Sequence, residues 1–258
     1  MPPSPFAGAA RYYRFRAPYA AAALDFVRDA FALGPGHRVL DLGCGPGTLS
    51  APLARWAGEV VAVDPDSGML AQARRDARAA GANNLRFVQA RAEDAAARLG
   101  RFRLTVMGQS FHWMDRDRVL ADLAAAIEPG GGLALINPGP RRPQESWEGA
   151  ADTLVEAYLG PIGRHPAMNT EPRHQGALLR SSAFRDFSEH EFATVVERDF
   201  DSVLGCVYSR SFSRRRLFGA RAPQFESELR AAFDRLAPRG RLVETVETEV
   251  LIAPKRAA

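Results

Sequence analysis

Short apolar runs alternate with helix-forming segments between residues 18 and 137, and this alternation limits the folds that the chain can adopt. Segments with helical spacing occupy 18–33, 48–57, 66–80 and 116–127. Five strand-like runs lie between and around them: RVLDL (38–42), EVVAVD (59–64), LRFVQA (85–90), FRLTVMG (102–108) and GGLALIN (131–137). Strands joined by helices pair in parallel, with right-handed crossovers. The alternation therefore predicts an α/β fold with a doubly wound, mostly parallel sheet.

The regular order loosens after Asn137, where two further strands are predicted near 187–196 and at 242–254. Helices are expected at 147–159 and 223–236. No repeat, low-complexity tract or linker composition separates these additions from the sheet. We therefore predict one domain over 1–258, made of parts in this order: an N-terminal helical cover (1–34), a ligand-binding core (35–138), substrate-side additions (139–240) and a last strand (241–258).

Charge and cysteine content exclude several function classes. The net charge is +4, and 33 of the 34 basic residues are Arg, scattered without the dense stripe that nucleic-acid binding favours. Two cysteines, Cys44 and Cys206, give neither a disulfide framework nor metal-ligand spacing. No secretory signal or membrane-spanning run is present. We expect a cytoplasmic protein with no nucleic-acid, membrane or metal partner, and its oligomeric state stays open.

Gly43, Gly45 and Gly47 directly follow the first strand, at the edge where open parallel sheets bind ligands. Glycine tolerates a positive φ and lets a ligand approach the backbone without an intervening Cβ. The helix that follows offers free N–H groups and a positive dipole end. These glycines are interpreted as a ligand-binding turn.

The spacing of the glycines and one acidic residue limit the kinds of ligand that the turn could bind. A dinucleotide-binding turn has the spacing G-x-G-x-x-G, whereas here the third dinucleotide position holds Thr48. Asp64 ends the second strand and could accept hydrogen bonds from the hydroxyls of a ribose. Ribose recognition suits NAD as well, so these residues alone do not identify the cofactor.

The ordered motifs VLDLGCGPG, VVAVDPDSGML, FVQARAED, QSFHWMD and IEPGGGLAL resemble those of class I S-adenosylmethionine-dependent methyltransferases over about residues 35–137. The N-terminal YYRFRAPY is similar to a bacterial small-molecule branch of that family, the methyltransferase type 11-like proteins. The resemblance implies a Rossmann-like seven-stranded sheet with an antiparallel last strand, a helical cover and S-adenosylmethionine as cofactor. It also implies that S-adenosylhomocysteine is a product.

The resemblance also assigns roles to individual residues. Asp41 would order the glycine turn or hold the cofactor's amino group through water, and Glu93 or Asp94 would accept from the adenine amino group. Met69 could instead be helix packing, and Asp94 could cap a helix that begins near Ala95. The expected cofactor-binding residues are Tyr13, Arg16, Asp41, Gly43, Gly45, Gly47, Asp64, Pro65, Met69, Ala92, Glu93, Gln109 and Ser110.

His112 is the best candidate for a general base, because it follows the fourth strand on the side where an acceptor would bind. It could equally shape the pocket. The expected acceptor-binding residues are Tyr19, Phe111, His112 and Trp113. His165 and His174 are weaker candidates, since nothing in the sequence directs them to the site.

The reading favoured by the sequence is metal-free methyl transfer to a small organic acceptor through oxygen, nitrogen or carbon. Methylation of cytosine carbon 5 uses an attacking cysteine, and neither cysteine is placed for that role. The alternatives are a cofactor-retaining cyclase or binding protein, an NAD-dependent oxidoreductase on the same fold, and an RNA or protein methyltransferase.

Overall fold

A single seven-stranded sheet organises the chain in a computed structural model, which describes residues 4–139, 146–162 and 174–256. The strand order across the sheet is β3-β2-β1-β4-β5-β7-β6. The strands are β1 (Arg38–Leu42), β2 (Glu59–Asp64), β3 (Leu85–Gln89), β4 (Phe102–Gly108), β5 (Ile127–Pro138), β6 (Ser188–Arg198) and β7 (Leu242–Pro254).

The direction of the strands confirms the predicted winding. β1 pairs in parallel with both β2 and β4, and β5 continues the parallel set beside β4. β7 lies antiparallel to β5, with Gly132 opposite Pro254. The order reverses between β1 and β4, so the residues after these two strands meet at the topological switch point where such sheets bind ligands.

Ten α-helices are present in the described residues, and side chains cap several of them. Asp66 accepts hydrogen bonds from the backbone at Gly68 and Met69, and Asp115 accepts from Arg118. The helices are α1 (Ala21–Ala30), α2 (Ser50–Leu53), α3 (Ser67–Ala79), α4 (Ala92–Ala95), α5 (Arg116–Ala126), α6 (Trp147–Leu159), α7 (His174–Arg180), α8 (Phe200–Tyr208), α9 (Arg215–Phe218) and α10 (Ala222–Leu236). Short 3-10 helices cover Ala10–Phe15, Phe111–Trp113 and Gly219–Arg221.

Three predicted helix boundaries were wrong, each for a local reason. The first helix starts at Ala21 rather than near Pro18, because Ala20 is extended and its N–H donates to Thr248 Oγ1. The helix after the glycines is α-helical only over α2, since the next turn is closed by tighter bonds such as Arg55 N–H to the Pro52 carbonyl. The helix expected near Ala95 begins at Ala92, so Asp94 lies in its first turn and does not cap it.

The chain forms two compact units. The sheet unit comprises Tyr19–Gly139, Ala167–Ala193 and Glu247–Ala258, and the helical unit comprises Met1–Pro18, Pro140–Pro166 and Thr194–Val246. The predicted partition of one domain into cover, core and additions stays a prediction.

Each unit has its own apolar core. In the sheet unit, two apolar clusters form, one around Leu40, Phe102 and Leu123 and the other around Val39, Leu53 and Val106. In the helical unit, residues of α6, α8 and α10 pack around Tyr208 and Phe225.

Among the described residues, no helix combines the length and the apolar character that crossing a bilayer requires.

Candidate functional site

The turn after β1 has the backbone that its glycines predict. Gly43, Gly45 and Gly47 adopt φ values of +71°, +55° and +87°, in the left-handed region that side chains disfavour. The N–H groups of Gly43 and Cys44 donate to the Val63 carbonyl at 2.8 and 2.9 Å, which fastens the turn to the end of β2. Left-handed residues thus alternate along the turn at the switch point.

Ser110, just after β4, packs against this turn. Its hydroxyl donates to the Leu42 carbonyl at 2.6 Å, and a Cβ built on Gly43 would lie 2.5 Å from the Ser110 Cβ. Gly43 is therefore required by the close approach of β4's end as well as by its own φ. The structure shows Ser110 buried in this supporting position, and its expected cofactor contact stays a prediction.

Asp64 joins the end of β2 to the glycine turn. One carboxylate oxygen accepts from Gly45 N–H at 2.8 Å, and the other accepts from Asp66 N–H at 2.8 Å. Only 8% of the residue is exposed, and burial raises the pKa of Asp64 to about 6, against the lowering effect of these two backbone bonds. The carboxylate thus lies against the same turn that the glycines form.

Asp41 is the most deeply buried acid of the site, with 1% of its surface exposed. Ser50 Oγ donates to its Oδ2 at 2.5 Å, whereas Oδ1 is buried with no hydrogen-bond partner among the described residues. Burial raises the pKa of Asp41 to about 7, partly offset by the Ser50 hydrogen bond and increased further by the charge of Asp64. The sequence analysis did not single out Ser50. The available signal was a hydroxyl residue at the start of a helix, nine residues after Asp41.

The residues expected around an adenine have mixed environments. Pro65 is exposed and its carbonyl accepts from Gln89, whereas Met69 and Ala92 are buried. Glu93 is 7% exposed, and its Oε1 accepts from Asp115 N–H at 2.9 Å. Glu93 therefore links the start of α4 to the start of α5, and its adenine contact stays a prediction.

The end of β4 carries backbone strain next to the glycine turn. Gln109 has φ +50°, which is uncommon for a residue with a side chain and marks functional positions more often than others. Its N–H donates to the Ile136 carbonyl at 3.1 Å, which holds this conformation. A Cβ built on Gly108 would lie 2.7 Å from the Tyr19 hydroxyl, so Tyr19 reaches the carboxyl end of β4, and its expected acceptor contact stays a prediction.

A group of four rings lies just beyond β4. His112 lies 5.5 Å from Trp113 between ring centroids, and both side chains are half-buried. His174, from α7, lies 6.3 Å from His112 with ring planes 18° apart, and 5.5 Å from Phe111. Phe111 is buried in the apolar core of the sheet unit, which leaves little of it for a ligand. The structure thus brings His174 to His112, which no sequence signal indicated.

Two further candidates belong to the helical unit. Arg16 stacks on Tyr13 at 4.0 Å and donates to the hydroxyl and the carbonyl of Ser209. Their cofactor contacts stay predictions, and His165 lies outside the described residues.

Both cysteines are buried and unpaired in disulfides. Burial, with the negative charges of Asp41 and Asp64, raises the pKa of the Cys44 thiol well above its ordinary value. In the part of the chain that the structure describes, no three His, Cys, Asp or Glu side chains are grouped to hold a metal ion.

Residues 39–131 match the sequence model of a family described as a methyltransferase domain. An uncharacterized methyltransferase of Mycobacterium tuberculosis is 33% identical over 125 residues, which are 48% of this chain and 48% of that protein. The 23S rRNA (uracil(1939)-C(5))-methyltransferase of Alkalilimnicola ehrlichii is 43% identical over 119 residues, 45% of this chain but 24% of that protein. The chain thus spans about half the length, or less, of these curated relatives.

Solved structures extend the similarity to most of the chain. A proposed type II methyltransferase from Anaeromyxobacter dehalogenans is 25% identical, with a TM-score of 0.54 over 93% of this chain and 96% of its own. The YcgJ protein of Bacillus subtilis has a TM-score of 0.57 at 16% identity, covering 93% of this chain and all of its own. At that identity, the second match supports the fold alone.

Proposed function

We propose that this chain, whose residues 39–131 match a methyltransferase domain, is a class I S-adenosylmethionine-dependent methyltransferase that transfers a methyl group to a small organic acceptor. The observation that carries the proposal is the turn Gly43–Gly47, left-handed at three alternate residues and fastened to the Asp64 carboxylate at 2.8 Å. A methyl donor with a ribose and an amino acid part matches this arrangement of backbone and acids.

Two acids beside the turn fit the ribose and the amino group of that cofactor. Asp64 would accept from the ribose hydroxyls, as a carboxylate at the end of the second strand does in nucleotide-binding sheets. The buried Asp41 Oδ1 has no hydrogen-bond partner among the described residues, and a cationic amino group is a partner that would offset its burial. When bound, the cofactor's sulfonium supplies both the methyl group and its leaving group.

The protein's part in such a reaction is alignment and proton removal. Holding two reactants in line contributes roughly 7–11 kcal/mol in well-oriented cases, so no covalent step from the protein is required. His112, beyond β4 on the acceptor side, would accept a proton at a ring nitrogen from an oxygen or carbon acceptor. Trp113, half-buried beside it, would offer the acceptor an apolar surface. Two features favour a small organic acceptor over a nucleic acid. The basic residues are scattered along the chain, and a group of rings lies just beyond β4.

The ribosomal RNA relative is named for methylation at a uracil carbon, and its match covers less than half of this chain. We do not extend that substrate to this protein, because the match spans only 24% of that relative. Both cysteines of this chain are buried, and burial raises the pKa of the Cys44 thiol, so neither suits the role of an attacking thiolate.

The test uses purified full-length protein and S-adenosylmethionine labelled in the methyl group. A panel of phenols, amines and carbon acids, with an rRNA transcript in parallel, is assayed by mass spectrometry for labelled product and S-adenosylhomocysteine. Label on a small acceptor supports the proposal, and label on RNA alone overturns its substrate class. Tight cofactor binding without any transfer would favour the cyclase or binding-protein alternative.

A further inference from the structure

α7 delivers one side chain to the rings beyond β4, although it is distant from them in sequence. His174 is the first residue of this helix, and its ring lies 5.5 Å from Phe111 and 6.3 Å from His112. Aromatic pairs interact at centroid separations of about 4.5–7 Å, and offset parallel arrangements are favourable among them. The near-parallel planes of the two imidazoles, 18° apart, fit such a pair.

Several contacts hold α7 so that its first residue has a defined position. Ala177 and Leu178 are buried in the same apolar cluster as Phe111. At the end of the helix, Arg180 makes an ion pair with Asp117 of α5, with a shortest distance of 3.0 Å. Gln175 donates to Glu189 of β6 at 2.5 Å. The His174 ring is therefore carried by a helix attached to its neighbours at both ends.

We propose that His174 is a positioning residue of the acceptor site, whose ring fixes the orientation of His112. This role rests on the proposed function, in which His112 is the base. A base must lie within hydrogen-bond reach of the proton that it removes, so a ring held between neighbours is more effective than one that samples several rotamers. Trp113 contacts His112 through its own ring, and His174 adds a contact from a different element.

If His174 orients His112 by ring contact, the flat shape of the His174 ring is needed and its nitrogens are not. His174→Phe keeps a flat ring against Phe111 and His112, whereas His174→Ala removes it. His190 is a suitable control position, because it is also a histidine of the sheet unit with an aromatic neighbour, Phe26, at 4.3 Å.

The experiment measures carbethoxylation of His112 by diethyl pyrocarbonate at pH 8, resolved by peptide mass spectrometry, because this needs no known acceptor. We expect His112 to react at least 3-fold faster in His174→Ala and at the wild-type rate in His174→Phe and His190→Ala. Thermal melting and S-adenosylmethionine titration check that each variant is folded and binds cofactor as the wild type does.

An unchanged His112 rate in a folded His174→Ala protein overturns the proposal, as does a His174→Phe variant that behaves like His174→Ala. With an acceptor found in the methyl-transfer screen, His174→Ala should lower kcat and leave the cofactor KM unchanged. Faster labelling of His112 without methyl transfer by the wild type would support the positioning role and refute the proposed function, so the two failures are distinguishable.

Discussion

Replacing Asp41 by Asn should change how the stability of the free protein depends on pH. Burial raises the pKa of Asp41 from 3.8 to about 7 in the folded protein. A raised pKa stabilises the fold at low pH, and this contribution is lost as the pH rises through the folded value. Between pH 5 and pH 7 the folded protein holds a proton that the unfolded chain has released. At about 1.4 kcal/mol per pH unit, the wild type should lose roughly 2–3 kcal/mol that Asp41→Asn does not lose.

The assay is urea denaturation of both proteins at pH 5 and pH 8, compared as a double difference. This comparison cancels the titrating groups that do not interact with Asp41, and it also cancels any cost of an amide that is imperfectly bonded at both pH values. Asp76→Asn, an exposed aspartate on α3, is the control and should leave the pH dependence unchanged. Equal losses of stability by wild type and Asp41→Asn between pH 5 and pH 8 would refute the reasoning.

Three further changes test the site directly. Asp64→Ala should weaken S-adenosylmethionine binding by about 1.5–3 kcal/mol, the range for hydrogen bonds to a charged group, and unchanged affinity by calorimetry would contradict the ribose assignment. Gly45→Ala should prevent cofactor binding and lower the free energy of unfolding by about 1–2 kcal/mol, because its φ is +55°; a variant that binds normally would rule out the turn as the binding surface. His112→Ala should spare cofactor affinity and lower turnover by roughly 10²–10⁴ if the ring is a base, or mainly raise the acceptor KM if it shapes the pocket; full activity with full affinity would exclude both.

The sequence predicted the sheet well because its strands are short apolar runs with clear ends. β1, β2, β4 and β7 have the predicted bounds. The start of α1 was missed because it depends on a hydrogen bond to Thr248, more than 200 residues away. α7 and α8 were not predicted, and the position of His174 follows from the packing of α7 on a core that local spacing does not describe.

The candidate site was predictable to the extent that it depends on local backbone chemistry. Three glycines after an apolar strand indicate a left-handed turn whatever the rest of the chain does, and Asp64 follows from its place at the end of β2. The roles of Ser110 and Glu93 were less accessible, because both side chains make their hydrogen bonds with distant backbone groups, Leu42 and Asp115.

Groups that destabilise the fold lie next to the switch point, and this is an independent reason to place the functional site there. In the helical unit, the buried charge of Glu244 is compensated, because Arg198 pairs with one oxygen at 2.8 Å and Trp147 donates to the other. Asp41, by contrast, is 1% exposed and has one oxygen with no partner among the described residues, and Gln109 holds a left-handed φ nearby in the same unit. For folding alone, an amide in place of the Asp41 carboxylate and a glycine in place of Gln109 would each remove a destabilising feature. A ligand that carries a positive charge into the turn would offset the first cost, as the proposed contact between Asp41 and the amino group of S-adenosylmethionine requires.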